Sequence, residues 1–258
     1  MSQTTIARLG LAAFALAAVT AAAAVAGVRL GLLPYARGWQ LMIPATALGL
    51  AGAGLGLWWL ARALKANNGA GRRMGLVALF GSALLLYPPL STVLHRMTSP
   101  PIHDFTTDTE NPPRFVALLK LRGADANPPG FDAAAPVHFQ GKDVTLGEVL
   151  HDHYVDILKP HAGFAIGSKD AIATFFWRNF EAVKKTGWTL VDYSAKDGRI
   201  EATARSFWFG RVSDIVIQVR KAGAGARTDL RIQSRNDAID DGFNAAIAKD
   251  YFKLLAAR

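Results

Sequence analysis

Residues 187–235, GWTLVDYSAK DGRIEATARS FWFGRVSDIV IQVRKAGAGA RTDLRIQSR, decide the fold of the C-terminal part. Four strand-like runs are separated by turn residues: Trp188–Ser194, Arg199–Phe209, Ser213–Arg220 and Arg227–Arg235. Asp197-Gly198 is a two-residue hairpin signal, and Phe209-Gly210-Arg211 and Gly223–Gly225 supply the other turns. Short connections of this kind predict an antiparallel meander. Pleat alternation sorts the side chains onto two faces. Ile200, Ala202, Ala204, Leu230 and Ile232 share the apolar parity, whereas Glu201, Thr203, Arg205, Asp229, Arg231, Gln233 and Arg235 take the polar one. One face is expected to be covered. The other reads as solvated, laced with cross-strand pairs such as Glu201 with an Arg, worth about 0.2–1 kcal/mol each.

Helices flank the meander. Ser168 suits an N-cap, Asp170 the first turn and Lys184-Lys185 the last, with Ile172, Phe175, Phe176, Phe180 and Val183 at helical spacing. Gly187 ends that helix as a left-handed cap. A final helix begins near Asp240-Asp241 and carries a stripe of Phe243, Ile247, Tyr251 and Leu255. The expected domain is α+β, an antiparallel sheet with both helices on one face. A Pro/Asp/Asn-rich segment precedes it from Ser99 to about His161, with Thr145–His151 as one or two helical turns.

The preceding residues belong to another solvent. The chain has 258 residues, 29 Lys/Arg and 20 Asp/Glu, a formal charge of +9 and no cysteine. The first 98 residues hold eight of the basic side chains and none of the acids, so residues 99–258 are close to neutral. Three uncharged stretches, Leu9–Val28, Trp39–Ala61 and Met74–Leu94, each match the ~30 Å hydrocarbon core at ~1.5 Å per helical residue. The chain therefore divides into a three-helix membrane anchor, 1–98, and an α+β domain, 99–258. The first stretch also has the outline of a secretory signal peptide, but its length favours a retained helix. Arg62, Lys65, Arg72 and Arg73 crowd the second connection and place it in the cytoplasm by the positive-inside rule. The domain then faces the envelope side of a cell inner membrane. Gly52 and Gly56 form a small-xxx-small step for close packing, within the bundle or between copies in an oligomer.

Several motifs match a known pattern. Ile102-His103-Asp104-Phe105-Thr106-Thr107-Asp108-Thr109-Glu110-Asn111-Pro112-Pro113-Arg114-Phe115 resembles the opening motif of the domain-of-unknown-function 1499 family. So do Gly187-Trp188, Gly198–Thr203 with Glu201, Trp208-Phe209-Gly210, Asp214–Ile217, Asp229-Leu230-Arg231, Ser234-Arg235 and Asp241-x-Gly-x-Asn244. The resemblance covers about 100–258 and implies membrane-anchored members, with no activity to carry over. It marks His103, Asp104, Asp108, Asn111, Trp188, Glu201, Gly210 and Asp241 as motif residues with structural roles. Departures lie at Arg211, Ser213 and 236–239.

Composition and motifs narrow the function. Without cysteine there is no thiolate metal site or thiol nucleophile. No Walker loop, dinucleotide fingerprint or nucleophile elbow occurs, and the neutral domain argues against nucleic acid. The expected role is binding or scaffolding without cofactor or metal, with an envelope protein or an anionic envelope component as partner. Arg205, Arg231, Arg235 and Asn244 are the candidate ligand-binding residues, since guanidinium forks beside a helix N-terminus suit an anion. The alternative is an envelope enzyme, a metal-assisted hydrolase drawing on His103, Asp104, Asp108, His151, His153 and His161.

Overall fold

A computed structural model describes residues 3–158, 161–162, 171–223, 225–236 and 239–256. Ser168 and Asp170, the expected helix start, lie outside the described residues. The chain forms two compact units: Met1–Met97 with Phe207–Gly210, and Thr98–Ser206 with Arg211–Arg258.

The first unit is built from α1 (Gln3–Arg29), α2 (Tyr35–Lys65) and α3 (Gly69–Thr98), each long and apolar enough to cross a membrane. Small residues set how closely they approach. A Cβ added at Gly56 would meet Ala78 and the α3 backbone at 3.0 Å, and one at Gly52 would meet Ser82 and the α1 backbone. Both glycines are therefore used for contact within the chain. Pro44, Pro88 and Pro89 sit inside continuous helices, and Ser91 and Thr92 donate their hydroxyls to the Pro88 carbonyl at 2.9 and 3.0 Å. Phe209 is buried in this unit with Ala21, Ala24, Met42 and Ala45.

The second unit is α+β. Its main strands are β5 (Thr189–Ser194), β6 (Arg199–Arg205), β7 (Val212–Ala222) and β8 (Gly225–Ser234). These are the four expected from alternation, with adjusted ends. The second ends at Arg205 rather than Phe209, and the third runs on to Ala222. The sheet gains two short strands, β1 (Asp104–Thr106) and β4 (His161–Ala162), both antiparallel to β8. The order is β1-β8-β7-β6-β5. A separate hairpin of β2 (Pro136–Phe139) and β3 (Lys142–Thr145) leads into α4 (Leu146–His153). Thr145 closes a reciprocal capping box with Glu148, which fixes where that helix begins. A single turn, α5 (Val155–Leu158), follows.

Two helices, α6 (Ala171–Lys185) and α7 (Phe243–Ala256), cover one sheet face, as expected. Phe105, Ile200, Ile215, Ile217, Leu230 and Ile232 meet Phe176, Val183, Ala248 and Tyr251 there. Gly187 takes φ +76° and ends α6. Tyr251 stacks on Trp188 with centroids 5.5 Å apart, and its hydroxyl reaches the buried Asn179 amide. Thr228 donates to the same Asn179 oxygen at 2.9 Å, so these three polar side chains of the core satisfy one another.

Candidate functional site

The opposite face corrects the solvated-face expectation. Register places Thr106, Arg231, Val216, Glu201 and Asp192 in one row across five strands, so the polar sides of β6 and β8 coincide. The neighbouring row is Asp104, Gln233, Asp214 and Thr203. Asp104, Glu201, Asp214, Arg231 and Gln233 are all buried. A strap, residues 107–135, lies over them. It contributes a 3₁₀ turn at Leu118–Leu121 and seats Phe115 and Leu118 against Val216. Both faces of this sheet are thus covered, one by helices and one by a strap with little secondary structure of its own.

Charge holds the strap in place. Arg231 makes a bidentate pair with Asp104, Nε to Oδ1 at 3.0 Å and Nη2 to Oδ2 at 2.7 Å, and Gln233 donates to the same carboxylate at 2.9 Å. Asp214 accepts from Arg122 at 2.7 Å and from Arg235 at 3.1 Å. Arg122 also donates to Gln233, which joins the two pairs into one network. The Phe115 ring lies between the Arg122 and Arg231 guanidiniums, 4.9 Å from each. Glu201 accepts the backbone N–H groups of Val116, Ala117 and Leu118 at 3.1, 3.1 and 2.9 Å, capping the 3₁₀ turn from below. Arg199 sits 2.8 Å from that carboxylate. At the far end Asp108 and Asp229 share Arg220 and Arg227. Burial pushes the Asp229 carboxyl up, against the pull of Arg227 and Arg220.

A second polar cluster surrounds the start of α7. Asp240 accepts from the N–H groups of Gly242 and Asn244, both at 2.9 Å, so it caps the helix itself. Asn244 accepts from Ser213 at 2.8 Å and donates to the His103 carbonyl at 3.1 Å. Asp241, at φ +54°, pairs with Arg211 at 3.3 Å. Burial pushes the Asp240 carboxyl up to about 6, although its two N–H donors and Arg211 pull the other way. The Tyr154 hydroxyl is buried, has no hydrogen-bond partner among the described residues, and is pushed up by burial and by the Asp240 charge.

The candidate residues can now be placed. Arg231, Arg235 and Asn244 are partnered inside the domain, the first two by Asp104 and Asp214 rather than by Asp240 and Asp241. An anion reaching them has to displace a carboxylate and the strap. Arg205 is exposed at the end of β6, apart from the network residues. Of the motif residues, Asp108 and Glu201 tie the strap to the sheet, and Asp104 orients Arg231 beneath it. The Asn111 carbonyl accepts from Arg220, Gly210 takes φ +65°, and Trp188 and Asp241 serve the helix-covered core and the start of α7. Among the described residues the histidines do not assemble with these acids; the His161 side chain lies outside the described residues. His151 is exposed beside Asp152, and His153 meets Phe139 and Tyr154 edge-on. Among the described residues no three His, Asp or Glu side chains are grouped to hold a metal ion. The sequence reading missed Arg122, Arg199, Arg220 and Arg227. The clue was the strap's own Phe115 and Leu118, which need an apolar seat on the polar side of the sheet, where Val216 and Val191 supply it.

No curated protein matches the chain at a significant level. The family model described as "Protein of unknown function (DUF1499)" matches residues 104–255, which is nearly the whole second unit, from the first residue of β1 to the last turn of α7. The motif carboxylates Asp104, Asp108 and Glu201 lie in the ion network, and the chain belongs to the DUF1499 family.

Proposed function

We propose that the helices anchor the domain in a cell inner membrane, that the domain faces the envelope side, and that it binds a protein partner there rather than catalysing a reaction. The observation that carries this reading is how the charged motif residues are used. Their carboxylates and guanidiniums are committed to each other and to the strap backbone. What the strap turns outward is a different set: Arg114 and Lys120 beside Val116, Leu119 and Leu121, all exposed. Apolar side chains interleaved with cations fit a protein segment that offers apolar and acidic groups. Orientation is supported by Arg62, Lys65, Arg72 and Arg73 around the short α2–α3 connection.

Site-specific photocrosslinking in the native membrane tests the proposal. A crosslinker replacing Leu119 should capture one defined envelope protein, and Arg114→Glu with Lys120→Glu should abolish the capture. The same products from Leu119 and from a control position at Lys196 would refute the binding surface.

A further inference from the structure

The loop between β6 and β7 departs from turn chemistry. Its ends are pinned: Ser206 N–H donates to the Arg211 carbonyl at 2.9 Å, and Arg211 N–H donates to the Ser206 hydroxyl at 3.0 Å. Gly210 at φ +65° makes the reversal. Loop tips of soluble domains are usually polar, but the residues between are Phe207, Trp208 and Phe209. Phe207 is 79% exposed and Trp208 41%, with their rings edge-to-face at 5.2 Å. Two large aromatic rings on a pinned turn have no packing role in the second unit.

Their neighbours indicate the solvent they fit. Phe207–Gly210 belong to the helical unit, where Phe209 packs edge-on to Tyr35 at 5.4 Å and beside Trp39 at 5.9 Å. Tyr35 and Trp39 occupy the first turns of α2, at the same end of the bundle as the last turn of α1 and the end of α3. That end also exposes Leu30 and Leu32 in the α1–α2 connection. Tyr and Trp clustered at one end of membrane-spanning helices mark the headgroup level. The second unit agrees on its own terms. Only residues 99–103 separate α3 from β1, a reach of about 17 Å at ~3.3 Å per residue. Ser99 lies against Gly242, and Arg211 donates to the Ile239 carbonyl, so the loop and the chain's exit toward the membrane share one end of the sheet.

We propose that Phe207 and Trp208 enter the boundary between headgroups and acyl chains of the bilayer that the helices span. The β6–β7 loop then acts as a second membrane contact, independent of the covalent tether. The occupant is lipid. A protein partner or open water at this tip are the competing outcomes of the test.

The chain has no cysteine, so single labels can be placed without background. Nitroxides at Phe207→Cys and, separately, Trp208→Cys are compared with one at Lys196→Cys, in the turn at the other end of β6. The full chain is held in nanodiscs of phosphatidylcholine and phosphatidylglycerol. Power saturation measures access to oxygen, which partitions into lipid, and to a nickel chelate, which stays in water. The labels at 207 and 208 should show an oxygen-to-nickel access ratio several-fold above that at 196. A ratio equal to that at 196 would overturn the proposal in favour of an aqueous loop. Exclusion of both reagents would overturn it in favour of protein packing.

Discussion

Replacing Arg231 by Met separates a buried ion network from a solvated polar face. The guanidinium is 2% exposed and its partner Asp104 4% exposed. The substitution roughly preserves volume but leaves the Asp104 carboxylate, among the described residues, with Gln233 Nε2 at 2.9 Å as its remaining side-chain donor. Breaking a buried pair from one side costs about 3–5 kcal/mol, because the surviving charge is neither hydrated nor neutralised. At about 2–4 °C per kcal/mol for a domain of this size, the loss in melting temperature is about 6–20 °C. The assay is urea and thermal unfolding of residues 99–258 expressed alone, a fragment that contains the whole helix-covered core. Asp104→Leu with Arg231→Met in the same chain should recover most of the loss, since an apolar pair carries no stranded charge. A cost below about 1 kcal/mol for Arg231→Met would place the pair in water, at the value of an exposed cross-strand pair, and would refute the covered face.

Asp240 makes the domain sensitive to mild acid in an unusual direction. Its carboxyl titrates near 6 when folded, above its ordinary 3.8, so its contribution is fully present below pH 3.8 and is lost as pH rises through 6. Asp240→Asn should flatten that part of the stability curve between pH 4 and 7, read by urea midpoints. Gly198→Ala should destabilise the domain by more than the ~1–2 kcal/mol of a left-handed backbone, because the new Cβ would lie 2.3 Å from the Val219 carbonyl oxygen. For orientation, reporter fusions at Asn67 and Asp125 should read cytoplasmic and envelope-side respectively. Cytoplasmic activity at Asp125 would remove the envelope from the proposed function. Glu201→Gln should raise amide exchange at Val116, Ala117 and Leu118 well before the rest of the domain, since it weakens their shared acceptor.

What the sequence disclosed follows from periodicity. The three spans, the four long strands and the apolar stripes of α6 and α7 repeat often enough for pattern to outweigh local preference. The strands β1 and β4 did not show themselves, being three and two residues long, and the β2–β3 hairpin lies in a stretch rich in Pro and Asp. The polar parity of β6 and β8 was read correctly, but its environment was not. Alternating Glu201, Arg231 and Gln233 look the same facing water or facing a strap, because alternation reports parity and not what lies opposite. Only the long-range pairing of Asp104 with Arg231 and of Arg122 with Asp214 distinguishes them, and those separations of about a hundred residues leave no local trace.

That pairing also explains why charge, rather than more hydrophobic surface, fastens the strap. Residues 107–135 offer the sheet Phe115 and Leu118 and little else that is apolar, and their short 3₁₀ turn brings few hydrogen bonds of its own. Two side chains against Val216 give attraction without direction, so a strap held only by them would slide by a residue or two at small cost. The Arg122 fork between Asp214 and Gln233, the Pro128 carbonyl on Gln233, and three successive N–H groups on Glu201 each fix a position as well as a distance. The desolvation of these groups makes them poor sources of net stability and good sources of register. It also accounts for how the charged residues of the family's motifs are spread, at both ends of the domain in sequence and on one sheet face in space. With Arg122→Met and Glu201→Gln in one chain, the strap should lose its single placement while the helix-covered core stays intact. Arg114, Val116, Leu119, Lys120 and Leu121 would lose their common orientation with it, which makes the ion network a condition for the proposed binding surface without being part of it.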